Sequence, residues 1–275
     1  MLCAITTGKP VQDRIIEAFA EGTGANVITI EKYLSNGQLP GKVQAVAIAG
    51  ILRGNAKLLA ECQARGIEYY YIDHAYFNAG YADPSWMRIT KNGFVQNAIV
   101  NNDPSRWNKF FQTPLQPYLH KTRKNILILP PSDAVAKVFG ADGWLPRVAQ
   151  KIKQHTSRPL IIRHKPGPIL NNDLITLKGR SSYDYPPMDE IWSKVYCVVA
   201  FNSNLAVDAL IRGIPVITTP YSATWPLSNK IESIENLIEF DRSSLLSSLS
   251  WGQYNIDEMR SGYAYKNIIK LKQTV

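Results

Sequence analysis

One segment, Val195 to Pro220, constrains the fold of this chain more than any other. It reads VYCVVAFNSNLAVDALIRGIPVITTP: an apolar run, an Asn-Ser-Asn turn, apolar residues at helical spacing, a glycine at 213 and a second β-branched run. This order predicts a strand, a tight turn, a helix that ends at Gly213, and another strand.

The turn in this segment has the features of an anion site. Asn202 or Ser203 can cap the helix, and the backbone N–H groups of its first turn favour an anion such as a diphosphate. Asn204 and Asp208 are four residues apart and share one face of the helix. Asp208 is therefore placed to accept hydrogen bonds from ribose hydroxyls. An ordinary βαβ unit with a capped helix is the alternative interpretation.

A strand followed by the motif N-S-x-x-x-x-D-A-L-x-x-G-x-P-V resembles the nucleotide-sugar half of GT-B glycosyltransferases. It is most similar to enzymes of capsular polysaccharide synthesis and to some bacteriophage glycosyltransferases. The resemblance covers Arg158 to Tyr221, and the N-terminal half matches in layout only. It implies an α/β fold of two Rossmann-like parallel-sheet domains facing a cleft. It also implies that the turn meets the donor phosphates and that Asp208, where the family usually has Glu, holds the ribose.

The bulk composition is that of a globular chain. It has 275 residues, of which 45% are hydrophobic, and no apolar run approaches the roughly 18 residues of a membrane span. Because Met1 leads directly into a strand-like segment without a charged leader, we expect a cytoplasmic protein, in the host cytoplasm if phage-encoded. Three cysteines at spacings unlike those of zinc sites predict neither a disulfide framework nor a metal site. The net charge of +9 favours a polyanionic partner or substrate.

The first 72 residues alternate between strand-like and helix-like segments. Strands are predicted at 2–7, 27–30, 43–49 and 67–72, with helices at 11–20 and 55–65. This alternation predicts a parallel sheet with helices on its faces, in which ligands bind beyond the carboxyl ends of the strands. Asp73 and His74 stand at such an end.

The segment from Trp86 to Lys124 combines positive charge with aromatic residues. It holds seven basic residues, one acid and six aromatics. Basic side chains for phosphates and aromatic faces for stacking suit single-stranded or locally opened nucleic acid. The candidate acceptor or nucleic-acid-binding residues are Arg88, Lys91, Arg106, Trp107 and Lys109. Core aromatics beside a solvated basic face are the alternative interpretation.

A hinge is predicted near residue 120, where two prolines and the run KTRK precede a new strand at 125–129. We therefore expect an N-terminal acceptor-binding domain over 1–120 and a nucleotide-sugar-binding domain over 121–255. A C-terminal helix over 256–275 crosses back to the first domain in many GT-B proteins, and the length here permits that. Helices are also predicted at 144–155, 226–240 and 243–251.

Two further segments complete the predicted donor site. Arg163 and Lys165 belong to a basic turn at a strand's carboxyl end, which suits a diphosphate and is similar to the Arg/His/Lys-Pro turn of capsule-type enzymes. A surface turn with incidental charge is the alternative. In the resembling family, the loop corresponding to 181–189 lies against the nucleobase, so Tyr183 or Tyr185 is expected to stack on it.

The predicted chemistry is metal-independent sugar transfer, because no D-x-D motif is present. The co-substrate is a nucleotide-diphosphate sugar, with a UDP-sugar favoured, and no other cofactor is expected. Asp73 is the first candidate for the base that activates the acceptor hydroxyl, and His74 is the second. Asp83 and Asp103 are further candidates.

The favoured acceptor is hydroxymethylated pyrimidine in phage DNA, glycosylated after the base is extruded. A glycan of capsule or lipopolysaccharide synthesis is the main alternative. A GT-B-fold sugar-nucleotide epimerase and a non-catalytic nucleic-acid-binding protein are two other classes that the sequence leaves open.

Overall fold

Two sheets with parallel cores organise the chain. The computed structural model describes residues 1–78, 85–165, 167–171, 174–180 and 186–270. The chain divides into unit 1, which combines Met1–Phe111 with the segment from Leu246 onward, and unit 2, Gln112–Leu245. Each unit has the strand–helix alternation of a Rossmann-like domain, so the predicted fold class is confirmed.

The strands are numbered in chain order: β1 (Leu2–Thr6), β2 (Asn26–Thr29), β3 (Ala45–Ala49), β4 (Glu68–His74), β5 (Trp86–Lys91), β6 (Asn125–Leu129), β7 (Leu160–Ile162), β8 (Gly167–Asn171), β9 (Leu174–Arg180), β10 (Val195–Ala200), β11 (Val216–Thr218) and β12 (Gln253–Asn255). The helices are α1 (Pro10–Thr23), α2 (Ile30–Asn36), α3 (Asn55–Arg65), α4 (Ser105–Phe110), α5 (Asp133–Val138), α6 (Trp144–Lys153), α7 (Met188–Trp192), α8 (Leu205–Ile211), α9 (Ser243–Ser250), α10 (Ile256–Arg260) and α11 (Tyr263–Ile268). Single 3₁₀ turns occur at His120–Thr122, Trp225–Leu227 and Ile231–Ser233.

The sheet of unit 1 has the order β12-β5-β4-β3-β1-β2. The four strands β2, β1, β3 and β4 are parallel, as the sequence alternation predicts, whereas β5 and β12 add antiparallel pairs at one edge. The sequence pattern does not predict these two strands, because they lie in irregular stretches far apart along the chain. Their pairing makes the C-terminal segment part of the first sheet.

Side chains of the unit 1 strands alternate between two hydrophobic cores. Ala4, Ala47 and Ala49 face α1, α10 and α11, while Ile5 and Ile48 face α2 and α3. Small alanines on one face let α1 pack closely on the sheet, and larger residues fill the other face. Both faces of the parallel part are therefore covered, as expected for such sheets.

The sheet of unit 2 has the order β11-β10-β6-β7, and all four strands are parallel. β10 is central and every one of its residues is buried. A separate antiparallel pair is formed by β8 and β9. The segment that most constrains the fold thus supplies β10, α8 and β11, as its pattern predicts.

The division between the units falls about ten residues before each sequence-based boundary, at 111/112 and within α9 at 245/246 rather than at 120/121 and 255/256. The segment around residue 116 belongs to unit 2 because Gln116 N donates to Ile211 O at 2.9 Å. The segment after α9 belongs to unit 1 because the Gln253 side chain accepts from Tyr76 N at 2.9 Å. Both contacts join residues distant in sequence, which local composition does not reveal.

Two predicted helices differ from the structure. Residues 226–240 form two 3₁₀ turns, because the Asn229 side chain accepts from Ile238 N at 2.7 Å and competes with helix formation. The predicted C-terminal helix is divided into α10 and α11 at Gly262, whose φ is +75°. A Cβ at Gly262 would lie 2.5 Å from Gly22 O, so both short helices pack within unit 1 against α1.

We expect Gly213→Ala to lower the free energy of unfolding by about 3 kcal/mol, as judged by urea denaturation. Gly213 has a φ of +66°, and an added Cβ would lie 2.2 Å from Pro117 O. Gly140→Ala is the matched control, since Gly140 has a φ of +61° and no described atom lies within 4 Å of its added Cβ. The control should lose only about 1 kcal/mol, the cost of the left-handed backbone. Equal losses would contradict the close approach to Pro117.

Candidate functional site

The candidate site lies at the carboxyl edge of the unit 2 sheet. The chain leaves β6 for β7 on one side and later returns to β10 on the other, so the strand order reverses between β6 and β10. Such a reversal opens a crevice in which ligands bind. Leu129 is aligned with Ala200, and Phe201 N donates to Leu129 O at 3.2 Å. The loops after both strands therefore start at the same level.

The turn after β10 connects directly to α8. Ser203 Oγ accepts a hydrogen bond from Leu205 N at 3.3 Å, and the Ser203 carbonyl accepts one from the helix. Asn204 precedes the helix in an α-helical conformation and its side chain makes no capping bond. Of the two predicted capping residues, Asn202 and Ser203, the serine bonds to the backbone of the turn.

Asp208 occupies α8 one turn after Asn204 and is half-buried. Burial raises the pKa of its carboxyl to about 6, and the nearby Arg212 opposes that shift. Arg212 donates to Asp189 Oδ1 at 3.0 Å. In the part of the chain that the structure describes, no group donates a hydrogen bond to the Asp208 carboxylate. A desolvated carboxylate without donors is costly in a folded protein and is typical of a ligand-binding position.

The basic turn after β7 reaches the same sheet edge. Arg163 N donates to Ile128 O at 3.0 Å, so Arg163 is level with the last residue of β6. Its guanidinium donates to Pro186 O at 2.8 Å, and Lys165 is exposed. Neighbouring strands lie about 4.8 Å apart, which puts the backbone of Arg163 about 10 Å from that of Phe201. The predicted donor residues 163, 165, 202–204 and 208 thus gather at one edge.

Aromatic rings that the sequence analysis overlooked lie at this edge. Phe201 and Tyr221 are stacked with ring centroids 5.2 Å apart, and Phe139 lies 4.6 Å from Tyr221. Tyr221 is 39% exposed, so one ring of the cluster is accessible. Its position just after β11 is the signal that could have indicated it. Tyr183 and Tyr185, the predicted base-stacking residues, lie outside the described residues.

The loop that carries Tyr221 is held by hydroxyl groups. Thr219 Oγ1 donates to Phe201 O at 2.6 Å and accepts from Tyr221 N at 3.2 Å. Ser222 and Thr224 are buried, with their hydroxyl oxygens 3.0 Å apart. These bonds fix the loop after β11 to the end of β10 and so set the position of the Tyr221 ring.

The two predicted bases lie in unit 1 at the end of β4. Asp73 Oδ2 accepts from Arg88 at 2.9 Å and from the Tyr71 hydroxyl at 3.0 Å, while Oδ1 accepts from His74 N at 2.8 Å. Both carboxylate oxygens therefore have partners within the unit. Burial and the nearby Asp73 charge raise the pKa of Tyr71 well above its ordinary value, so this hydroxyl is a permanent donor.

The other two candidate bases are Asp103 and Asp83. Asp103 is exposed and accepts from both the backbone N–H and the hydroxyl of Ser105, which lowers the pKa of its carboxyl. These hydrogen bonds form a turn before α4. Asp83 lies outside the described residues.

The basic residues predicted to bind the acceptor differ in how their charges are compensated. Arg88 is buried, paired with Asp73, because it lies within the unpredicted strand β5. Lys91, at the other end of β5, has its Nζ 2.6 Å from Glu68 Oε2. The charges of both residues are compensated by neighbouring carboxylates of β4.

The residues of α4 divide between interior and surface. Arg106 is 4% exposed and makes two hydrogen bonds to Glu258, at 2.7 and 2.6 Å. Trp107 is half-buried with its ring 5.0 Å from that of Phe77. Lys109 is exposed. Of the four cations proposed for nucleic acid, only Lys109 is exposed with no carboxylate within ion-pair distance among the described residues.

Cys3, Cys62 and Cys197 are buried free thiols. Within the described ranges, no cluster of three or more His, Cys, Asp or Glu side chains could hold a metal ion. In the same ranges, no helix has both the length and the apolar character needed to cross a membrane.

No protein-family model and no curated protein matches the chain. Among solved structures, it is similar to the β-Kdo 2,4-transferase of Thermosulfurimonas dismutans KpsC, with 11% identity, a TM-score of 0.55 and 97% of each chain covered. The β-Kdo 2,7-transferase of the same KpsC matches with 14% identity, a TM-score of 0.46 and coverage of 98% of this chain and 99% of that one. The second TM-score is too low to equate two folds. The first shows a GT-B-like fold, as the sequence resemblance implies.

We expect Asp208→Asn to stabilise the protein at pH 8. The pKa of the folded-state carboxyl is about 6, against an ordinary value of 3.8. The free energy of unfolding of the wild type therefore falls as pH rises from about 4 to 6, and it does not recover at higher pH. The variant should gain on the order of 1–2 kcal/mol at pH 8, less than the full shift because the side chain is partly solvated.

Urea denaturation at pH 8 and pH 4 measures this gain, which should vanish at the lower pH. Asp142→Asn, at an exposed carboxylate of the same unit, is the control and should change little at either pH. A loss of stability in Asp208→Asn at pH 8 would show that the carboxylate has a stabilising partner.

Proposed function

We propose that this chain is a glycosyltransferase that moves a sugar from a nucleotide-diphosphate donor to a hydroxyl acceptor. The observation that carries the proposal is the half-buried Asp208 carboxylate, which lies at the strand-order reversal of unit 2 and accepts no hydrogen bond from the described residues. A ribose supplies two adjacent hydroxyl donors, which would satisfy this carboxylate. The GT-B-like fold agrees with this use of the site.

Other groups at the same sheet edge would contact the diphosphate and the nucleobase of the donor. The turn at Asn202 and Ser203 offers backbone N–H groups to the diphosphate, and Arg163 and Lys165 add positive charge on the β7 side. Cationic and dipolar groups of this kind stabilise the charge that develops on the leaving diphosphate without a metal ion. Tyr221 offers an exposed ring for the nucleobase, which we take to be uracil.

The base that activates the acceptor hydroxyl is Asp73 in this proposal, with His74 as the second candidate. Asp73 is half-buried and held by Arg88 and Tyr71, so its orientation is fixed. To accept a proton from the acceptor, it would exchange one of these hydrogen bonds for one from the acceptor hydroxyl. Unit 1 would then supply acceptor binding, as in the domain roles predicted from the sequence.

The acceptor in this proposal is a glycan rather than DNA. The sequence-based case for DNA depends on a cationic segment, but Arg88, Lys91 and Arg106 are each paired with a carboxylate. DNA binding requires cations that neutralise phosphates. One solved structure that shares this fold is a β-Kdo 2,4-transferase. Hydroxymethylated DNA is retained as the second acceptor because the chain has a net charge of +9.

The donor site is tested by binding of UDP, followed as a rise in melting temperature and by calorimetry. A ligand bound only by the folded state raises stability by RT ln(1 + [L]/Kd). Asp208→Asn should weaken UDP binding about tenfold or more, since hydrogen bonds to a charged group contribute about 1.5–3 kcal/mol. Asp142→Asn should bind like the wild type. Unchanged affinity in Asp208→Asn would exclude Asp208 as the ribose contact.

The reaction is tested by incubating the protein with UDP-sugars and three acceptors: bacterial oligosaccharides, hydroxymethylated DNA and unmodified DNA. Mass spectrometry should find added sugar on an oligosaccharide, and Asp73→Asn should slow transfer about 100-fold or more. Glu68→Gln, which breaks an ion pair at the other end of β4, should retain activity.

Each other outcome identifies a different function. Sugar on hydroxymethylated DNA alone would replace the glycan acceptor by DNA. An epimerised donor without transfer would favour the epimerase. DNA binding without any affinity for UDP would favour a non-catalytic nucleic-acid-binding protein.

A further inference from the structure

Unit 1 contains a groove that the proposed donor site and base do not use. It has a volume of about 660 Å³ and lies between α4 on one side and Trp251, the end of β12, α10 and the start of α11 on the other. All of its lining residues belong to unit 1. A concave site of this size is large enough for a small ligand.

The floor of the groove is rigid and electrically neutral. Arg106 donates to both Glu258 carboxylate oxygens and also to the carbonyl oxygens of Ser250 and Gln253, at 2.7 and 2.8 Å. Five aromatic rings have their centroids 5.1 to 5.9 Å from its guanidinium carbon. Because every contact fixes the same side chain, the floor is preorganised for a ligand.

The walls of the groove present aromatic surface to solvent. Phe110 is 37% and Tyr263 is 40% exposed, the two largest aromatic exposures among the described residues of unit 1. Trp251 is half-buried, and its Nε1 donates to Asp103 O at 2.9 Å, which fixes the indole plane. Clustered exposed rings around a concave surface mark a binding site rather than incidental exposure.

The rim of the groove carries polar groups of both signs. Lys109 Nζ lies 4.9 Å from the centroid of the Phe110 ring, and the Asp257 side chain is 93% exposed. Asn255 uses its Oδ1 to cap α10, accepting from Glu258 N at 2.8 Å. With the Arg106–Glu258 pair neutral, the lining has one further cation and one further anion, so its net charge is zero.

The groove begins at the same sheet edge as the proposed base. Asn255, the last residue of β12, is aligned with Trp86, and His74, the last residue of β4, is aligned with Met87. The carboxyl ends of β12 and β4 therefore flank the same end of β5. This is the edge at which α/β sheets bind ligands.

We propose that this groove binds a sugar unit of a glycan acceptor, an inference that depends on the proposed function for its choice of ligand class. The apolar face of a pyranose ring packs against exposed aromatic rings, and its hydroxyls bond to carboxylate, amide and ammonium groups on the rim. A polyanion such as DNA finds no excess of positive charge here. An apolar peptide would desolvate the rim charges without compensating them.

Binding is tested without donor or turnover, by saturation-transfer NMR and tryptophan fluorescence with neutral oligosaccharides of glucose, galactose and N-acetylglucosamine. The wild type should bind at least one of them at millimolar concentration. Tyr263→Ala and Asp257→Ala should each weaken that binding about tenfold, equivalent to about 1.4 kcal/mol. Ile269→Ala is the matched control, because Ile269 is 48% exposed and directly follows α11, outside the groove.

Three results would overturn the inference: no binding of any oligosaccharide, binding that both groove variants retain, or tighter binding of a DNA oligonucleotide than of any sugar. Circular dichroism checks the fold of each variant. If Tyr263→Ala unfolds, Asp257→Ala decides, since its side chain is almost fully solvated. Failure here would leave UDP binding at Asp208 intact, whereas failure of the donor site would abolish UDP binding but not sugar binding in the groove.

Discussion

The pairing of β6 with β10 is the interaction on which the candidate site depends. These strands align from Asn125 and Val195 to Leu129 and Ala200, and the ladder continues to Phe201 N. Because both strands end at the same level, the loops that follow leave the sheet side by side. If this register slipped, Asp208 and the basic turn after β7 would no longer lie at the same edge of the sheet.

The burial of the charged Asp208 carboxylate opposes folding. Burial raises the pKa of the carboxyl to about 6, and Arg212, which could compensate the charge, is engaged by Asp189. The burial of this carboxylate lowers the stability of the fold, and no described residue offsets that cost with a hydrogen bond to it. Ligand-binding groups commonly show this conflict between stability and function.

The sequence predicted what depends on local patterns. Strand–helix alternation indicated the parallel sheets, and the segment from Val195 to Pro220 indicated the strand, turn and helix that carry Asp208 to the edge of the unit 2 sheet. The sequence did not predict contacts between segments that are distant along the chain. β5 and β12 pair across more than 150 residues, and Arg106 finds Glu258 through the same association. Tyr221 was overlooked because its neighbours, Phe139 and Phe201, approach it only in the folded chain.

Charge composition alone does not identify which cations are available to a polyanionic acceptor. A count of basic residues does not distinguish a guanidinium in water from one held by a carboxylate inside the protein. Arg88 is compensated by Asp73 and Arg106 by Glu258, so neither contributes to the field around the molecule as a free cation would. The aromatic residues that suggested base stacking instead surround Arg106 and continue into the exposed rings of the groove. The same residues therefore favour a ligand bound by ring faces and neutral hydrogen bonds over one bound by charge.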